Sequence, residues 1–288
     1  MQYIIAAVVI AALLVVYLWI ENKNMVVTNY LLEQKKVPSN FHDMRFACIT
    51  DLHYNQYGKG NARLLKAIND CKPDAILIAG DLVVAAKPQK VDVAYQFLSE
   101  LTKKYPVYYA PGNHELKWGQ AIGCSKEFYK TFLENLKKLG VCYLDNESIT
   151  IKKGSDTLII RGLSLPLRFF AKGKQKVEIN EKEIESLIGK TQGDSYEILL
   201  AHIPDYFETY VSYGADFILS GHVHGGIMKL PYLGGVISPR YELFPKYDSG
   251  IFKKGRTVMF LSRGLGTHTI PVRVFNRPEL ICVEIRKC

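Results

Sequence analysis

Five short segments gather most of the residues able to bind metal. They are Asp51-Leu52-His53, Gly80-Asp81, Gly112-Asn113-His114-Glu115, Ala201-His202 and Gly221-His222-Val223-His224. The chain has seven histidines, and these segments hold all of them except His42 and His268. Carboxylates, imidazoles and one amide oxygen suit Mn, Zn or Fe better than Ca or Mg. Asp51 and His53 are two residues apart, as are His222 and His224. At an extended strand end Asp51 and His53 would point one way and could reach one ion. Asp81 has two carboxylate oxygens and could bridge two ions. The glycines beside these residues suit tight turns around a crowded site.

The flanking patterns say what positions them. Short apolar runs at 45–50, 74–79, 107–110, 197–200 and 216–219 read as strands, each leading into one of the segments. Between them, 61–71, 91–101, 126–139 and 181–188 carry helical spacing, as in Phe128, Phe132, Leu136 and Leu139. Further strand-like pieces lie at 25–30, 141–144, 147–151, 157–163, 257–261 and 280–285. Strand and helix in alternation imply βαβ crossovers and a buried sheet.

Any one segment has a plain alternative, because a lone histidine is more often a core or surface residue. Five segments, each closing a strand, are hard to assemble by accident. Other chemistries lack their signatures: there is no G-x-x-x-x-G-K-[ST] phosphate loop and no G-x-S-x-G elbow. The 288 residues carry a net charge of +9, which fits an anionic substrate, an anionic membrane surface or simple solubility. No nucleic acid partner is expected, since no Lys/Arg run exceeds two residues.

The first residues differ from the rest. Tyr3 to Ile20 is uncharged and apolar. As a helix it would span about 27 Å, close to a bilayer's hydrocarbon core. No basic residue precedes it and no small-x-small cleavage site follows, which disfavours a removed signal peptide. Residues 1–22 therefore read as a single-pass membrane anchor, 23–44 as a juxtamembrane linker with a first strand, and 45–288 as the catalytic domain. Lys23, Lys35 and Lys36 after the anchor favour a cytoplasmic domain. The six cysteines show no framework spacing, and free thiols suit a reducing compartment.

The order D-x-H, G-D, G-N-H-E, H, G-H-x-H resembles the calcineurin-like metallophosphoesterase superfamily from about residue 45 onward. The apolar N-terminus and the tail Arg263-Gly264-Leu265-Gly266, Pro271-Val272-Arg273 and Asn276-Arg277-Pro278-Glu279 resemble its bacterial membrane-associated subgroup. That subgroup includes enzymes similar to UDP-2,3-diacylglucosamine pyrophosphohydrolases of lipid A synthesis. The resemblance implies a four-layer α/β/β/α sandwich, two divalent ions and a phosphoester or pyrophosphate substrate. One ion would be held by Asp51, His53, Asp81 and His224. The other would be held by Asp81, Asn113, His202 and His222, with Asp81 bridging. Two such ions acidify a shared water, and the hydroxide attacks phosphorus in line. His114 matches a residue that touches substrate and serves with Asp81 in catalysis; Asn113 could also contact substrate.

Four features stay open at this stage. Glu115 either orients a site residue or caps the following helix, and capping is favoured. The apolar and basic segment 165–176 either meets an anionic interface or packs on the core. Arg240 either contacts phosphate or forms a structural ion pair. His268 stands outside the pattern. The rival functions are a lipid- or nucleotide-linked hydrolase at the membrane, a tethered phosphodiesterase or phosphatase for a soluble substrate, and a non-catalytic metal-binding scaffold.

Overall fold

A computed structural model of the chain describes residues 1–171, 177–226, 228–230, 234–237, 243–267 and 272–288. The strands are β1 (Val26–Glu33), β2 (Met44–Ile49), β3 (Ala75–Ala79), β4 (Val107–Ala110), β5 (Val141–Tyr143), β6 (Glu147–Lys153), β7 (Asp156–Leu163), β8 (Tyr196–Ala201), β9 (Phe217–Ser220), β10 (Lys229–Leu230), β11 (Gly234–Gly235), β12 (Gly250–Lys254), β13 (Thr257–Leu261) and β14 (Glu279–Arg286). The helices are α1 (Gln2–Lys23), α2 (Ala62–Cys71), α3 (Val91–Thr102), α4 (Asn113–Gly119), α5 (Lys126–Lys138), α6 (Glu181–Ile188) and α7 (Phe207–Tyr213).

Two mixed sheets of six strands form the centre, in the orders β1-β14-β2-β3-β4-β5 and β12-β13-β9-β8-β7-β6. Side-chain alternation along the strands builds three apolar layers. In the first sheet Ala47, Ile49, Ile76 and Ile78 face outward under Leu64, Phe97, Trp118 and Phe132 of α2 to α5. Phe46, Cys48 and Leu77 face inward and meet Ile198, Leu200, Phe217 and Phe260 of the second sheet. Leu199, Ile218 and Met259 face outward again, under Ile184 of α6 and Tyr210 of α7. The result is the expected α/β/β/α sandwich. β2, β3 and β4 run parallel, as do β8 and β9, so their carboxyl ends lie at one edge of each sheet.

Several elements differ from the sequence reading. The strand placed within the 23–44 linker is not peripheral: β1 pairs with β14 along its whole length. α7 and β12 were not anticipated, because each is short or lacks a clean period. The cysteines need a correction: Cys71 and Cys282 form a disulfide, so free thiols describe only Cys48, Cys124, Cys142 and Cys288. The pair is 211 residues apart and is brought together only where α2 packs beside β14, which no spacing rule reveals. Disulfides persist in oxidising compartments, so the thiol argument for a cytoplasmic domain falls and only the lysine flank remains.

Candidate metal centre

The site forms where β2, β3 and β4 of one sheet and β8 and β9 of the other release the chain. Asp51 follows β2, Asp81 follows β3, Asn113 opens α4 after β4, His202 follows β8 and His222 follows β9. The backbone does not leave these strands extended, as the spacing argument assumed. Asp51, His53, Asp81, His222 and His224 have φ of 51°, 49°, 56°, 70° and 51°. Left-handed backbone costs an L-residue about 1–2 kcal/mol. The kinks turn each chain end sharply inward; Asp51 and His53 come to one grouping, whereas His222 and His224 are split between two. Strain clustered on chemistry-bearing residues is a mark of functional sites.

Three groupings of potential ligand atoms result: Asp51, His53 and His224; His53, Asp81 and His114; Asp81, His202 and His222. Asp81 Oδ2 lies 3.8 Å from His53 Nε2 and 3.2 Å from His202 Nε2. Asp51 Oδ1 lies 3.4 Å from His224 Nε2 and 3.7 Å from His202 Nε2. His53 Nε2 and His224 Nε2 are 3.3 Å apart.

The outer contacts fix which nitrogen faces inward. His202 Nδ1 donates to the Ala79 carbonyl at 2.7 Å, and His53 Nδ1 donates to the Val83 carbonyl at 3.2 Å. A carbonyl can only accept, so in the neutral ring each Nε2 presents a lone pair to the centre. His114 is set the other way: its Nδ1 accepts the Ala85 N–H at 2.9 Å, leaving the proton on Nε2, 4.0 Å from Asp81 Oδ2. The buried Asn113 Oδ1 has no hydrogen-bond partner among the described residues. Carboxylate oxygens, inward lone pairs and an orphaned amide oxygen together are a set that divalent cations fit.

The electrostatics agree. Burial works against charging His202, yet the Asp81 and Asp51 carboxylates raise it to about 10. Burial dominates at His53 and lowers it to about 4, leaving it neutral. Burial also opposes the charge on Asp81, but His202, His114 and His53 outweigh it and hold the carboxyl well below its ordinary value.

Backbone close approach sets the limits of the cradle. His222 N–H donates to both oxygens of Asp51 at 3.1 Å. A Cβ on Gly221 would sit 2.2 Å from Asp51 Oδ2 and 2.8 Å from Thr50 Cβ. Gly221→Ala is therefore expected to lower stability by about 1–3 kcal/mol by overpacking and to reduce bound metal. Thermal unfolding and metal content of the purified variant check this; an unchanged metal content would show that the cradle tolerates a methyl group.

The structure brings together all the acidic and histidine residues picked from the sequence, with His114 at the rim. Arg240, His268 and 172–176 lie outside the described residues. In the remainder of 165–176, Leu165 and Phe169 are buried in the core beneath α6 and α7, so that half of the segment does not face an interface. Phe170 instead lies edge-on to His222, with ring centres 5.2 Å apart.

Three residues matter more than their sequence context suggested. Glu115 does cap α4, accepting the Gly112 N–H at 2.9 Å. It also accepts from Asp81 N–H at 3.0 Å, Val83 N–H at 3.3 Å and the Tyr109 hydroxyl at 2.5 Å, so it holds the Asp81 turn as well. Burial and the Asp81 charge raise Glu115 to about 7. Buried Arg273 donates to the carbonyls of Arg263, Gly264, Gly266 and Asn276, tying the tail behind Asp51. Asn276 donates to the carbonyls of His224 and Gly226, both at 2.7 Å. The capping spacing was a signal for Glu115; Arg273 and Asn276 lie in the tail segments that carry the subgroup resemblance, but their spacing implies no role.

A family model for calcineurin-like phosphoesterases matches residues 44–226. The chain is 23% identical to the uncharacterized metallophosphoesterase YkuE of Bacillus subtilis, covering 90% of this chain and 85% of that one. It is 25% identical to phosphodiesterase YaeI of Escherichia coli, covering 82% and 80%. Among solved structures, sulfate thiohydrolase SoxB of Thermus thermophilus superposes with a TM-score of 0.50 at 12% identity, covering 87% of this chain and 58% of that one, a likeness of fold. The family model spans more than half of the chain, including every segment that closes the site. The chain belongs to the calcineurin-like phosphoesterase family, and its chemistry is metal-dependent hydrolysis of a phosphoester.

Proposed function

We propose that this chain is a membrane-anchored hydrolase with two divalent ions, acting on a phosphodiester or pyrophosphate linked to a lipid or nucleotide. Asp51, His53, Asp81 and His224 hold one ion; Asp81, Asn113, His202 and His222 hold the other. The observation that carries the reading is the place of Asp81. Its Oδ2 lies 3.8 Å from His53 of one set and 3.2 Å from His202 of the other. Mn, Zn and Fe all suit this donor set. When bound, such a pair of ions acidifies water and neutralises charge on phosphoryl oxygens. The chain's own part is geometric. Asp51 and Asp81 hold the negative charge that the ions need. His114 Nε2–H points across the rim beside Asp81, where it can donate to a developing negative oxygen or to the departing one.

The anchor reading draws on α1, which is long and apolar enough to cross a membrane and has none of its apolar window buried. A zebrafish relative, 22% identical, is named a transmembrane protein with a metallophosphoesterase domain. The lysines after α1 favour the cytoplasmic side, whereas the disulfide suits an oxidising one.

The full chain, loaded with Mn in mixed micelles, would be assayed on bis-p-nitrophenyl phosphate, p-nitrophenyl phosphate and UDP-2,3-diacylglucosamine. Turnover of the lipid nucleotide well above both small esters is the expected result. Turnover of the small esters alone would leave a tethered phosphoesterase for a soluble substrate. No turnover of any of the three by metal-loaded protein would favour the scaffold reading.

A further inference from the structure

The anchor helix is not joined to the domain by slack chain. The Tyr17 hydroxyl accepts the Phe275 N–H at 3.1 Å, and their rings lie 5.8 Å apart. The buried Glu21 carboxylate accepts the Asn276 N–H at 2.9 Å and meets Arg277 Nε at 3.3 Å. Asn276 in turn holds the carbonyl of His224. One residue thus links the end of α1 to the backbone of a proposed metal ligand.

Beside this clamp lies an apolar rim. Met228 bridges Val274, the Met228 carbonyl accepts the Val236 N–H at 2.9 Å, and the Val236 carbonyl accepts the Phe244 N–H at 3.0 Å. This ladder joins the backbones that carry Leu243, Phe244 and Phe275, which are 65%, 55% and 59% exposed. Phe244 and Phe275 both have φ of 50°. A bulky residue in left-handed backbone is an outlier. Phe275 meets Tyr17 on one side, and Phe244 and Phe275 both remain more than half exposed.

The position of the patch identifies its occupant. Phe275 packs on Tyr17, in the part of α1 where the apolar run is about to end. Trp19, on the next residues of the same helix, is 66% exposed. Amphipathic aromatics of this kind sit at headgroup level. Lys23 and Arg277 stand at the same junction and suit anionic headgroups.

We propose that Met228, Leu243, Phe244 and Phe275 dip into the bilayer that α1 enters, seating the metal centre on the membrane surface. The substrate is then a phosphate ester carried at headgroup level. This rests on the anchor reading above and assigns to the rim the lipid contact that the sequence suggested for 165–176.

The test uses the full chain in vesicles of phosphatidylglycerol and phosphatidylcholine, the latter brominated high on one acyl chain. Apolar faces settle about 5–10 Å below the headgroup boundary, within reach of such bromines. Trp118 is fully buried, so in the parent Trp19 reports the anchor. In a Trp19→Phe background, tryptophan is placed by Phe244→Trp, by Phe275→Trp, or by Lys104→Trp on the exposed turn before β4, at the opposite end of the strands. Positions 244 and 275 should lose emission about as strongly as Trp19, while 104 should not. If Trp19 is quenched but 244 and 275 behave like 104, the rim proposal is overturned and the anchor stands. If Trp19 itself is unquenched, the anchor reading fails and takes the rim with it. Unquenched but blue-shifted emission at 244 and 275, lost on dilution, would assign the patch to a second copy instead.

Discussion

Asp81→Asn is expected to reduce turnover by about a thousandfold or more, roughly 4 kcal/mol of transition-state stabilisation, with the fold retained. The substitution is close in shape, and an amide oxygen can still accept the His114 N–H that Asp81 Oδ1 accepts at 2.9 Å. What changes is the other arm. An NH2 group would face the inward lone pairs of His53 and His202, where a shared negative oxygen now stands. Metal content should fall from two ions per chain towards one, while thermal unfolding stays close to the parent. His114→Ala provides the contrast. It should keep both ions and lose about 10²–10⁴-fold in rate, the range for a positioned proton donor. Activity near the parent level in both variants would sink the site assignment.

Glu115→Ala should produce the largest loss of stability in this region, about 3–5 kcal/mol, because removing a buried charged acceptor strands its donors. Three backbone N–H groups and the Tyr109 hydroxyl converge on that carboxylate. Glu115→Gln keeps one oxygen and should recover about half of the loss, since each Glu115 oxygen serves two of the four donors. Urea unfolding of the two variants measures this. Equal and small losses would mean that water takes over the stranded donors. Because Glu115 holds the Asp81 turn, the alanine variant should also bind metal less tightly at matched folded fraction.

The layers of this fold were readable because apolar runs alternate with helical periods, and β4, β13 and α6 fall within the ranges read from the sequence give or take one residue. The grouping of Asp51, His53, Asp81, His202, His222 and His224 was readable for a related reason. Each stands at the end of a run that could only be a buried strand. The manner of their convergence was not, since five left-handed residues replace the extended ends that spacing alone implies. Glu115 was legible as a cap but not as the acceptor that braces Asp81, because those donors come from another strand end. Cys71 with Cys282, and Asn276 with His224, are pairings set by tertiary placement. They leave no local pattern to find.

The position of β14 imposes an order on synthesis. β14 lies between β1 and β2, parallel to one and antiparallel to the other. β1 leaves the ribosome directly behind α1, yet among the described residues its only partner strand is the one at 279–286, made after every segment of the site. Until then β1 waits with its backbone donors and acceptors unpaired, and β2 has an open flank. A nascent chain stalled before β14 would carry two exposed strand edges, the kind of surface that recruits other chains. Completion of this hydrolase is thus a last-strand event: a single segment closes the first sheet, ties β1 into it and ends the interval in which the newborn chain can pair wrongly.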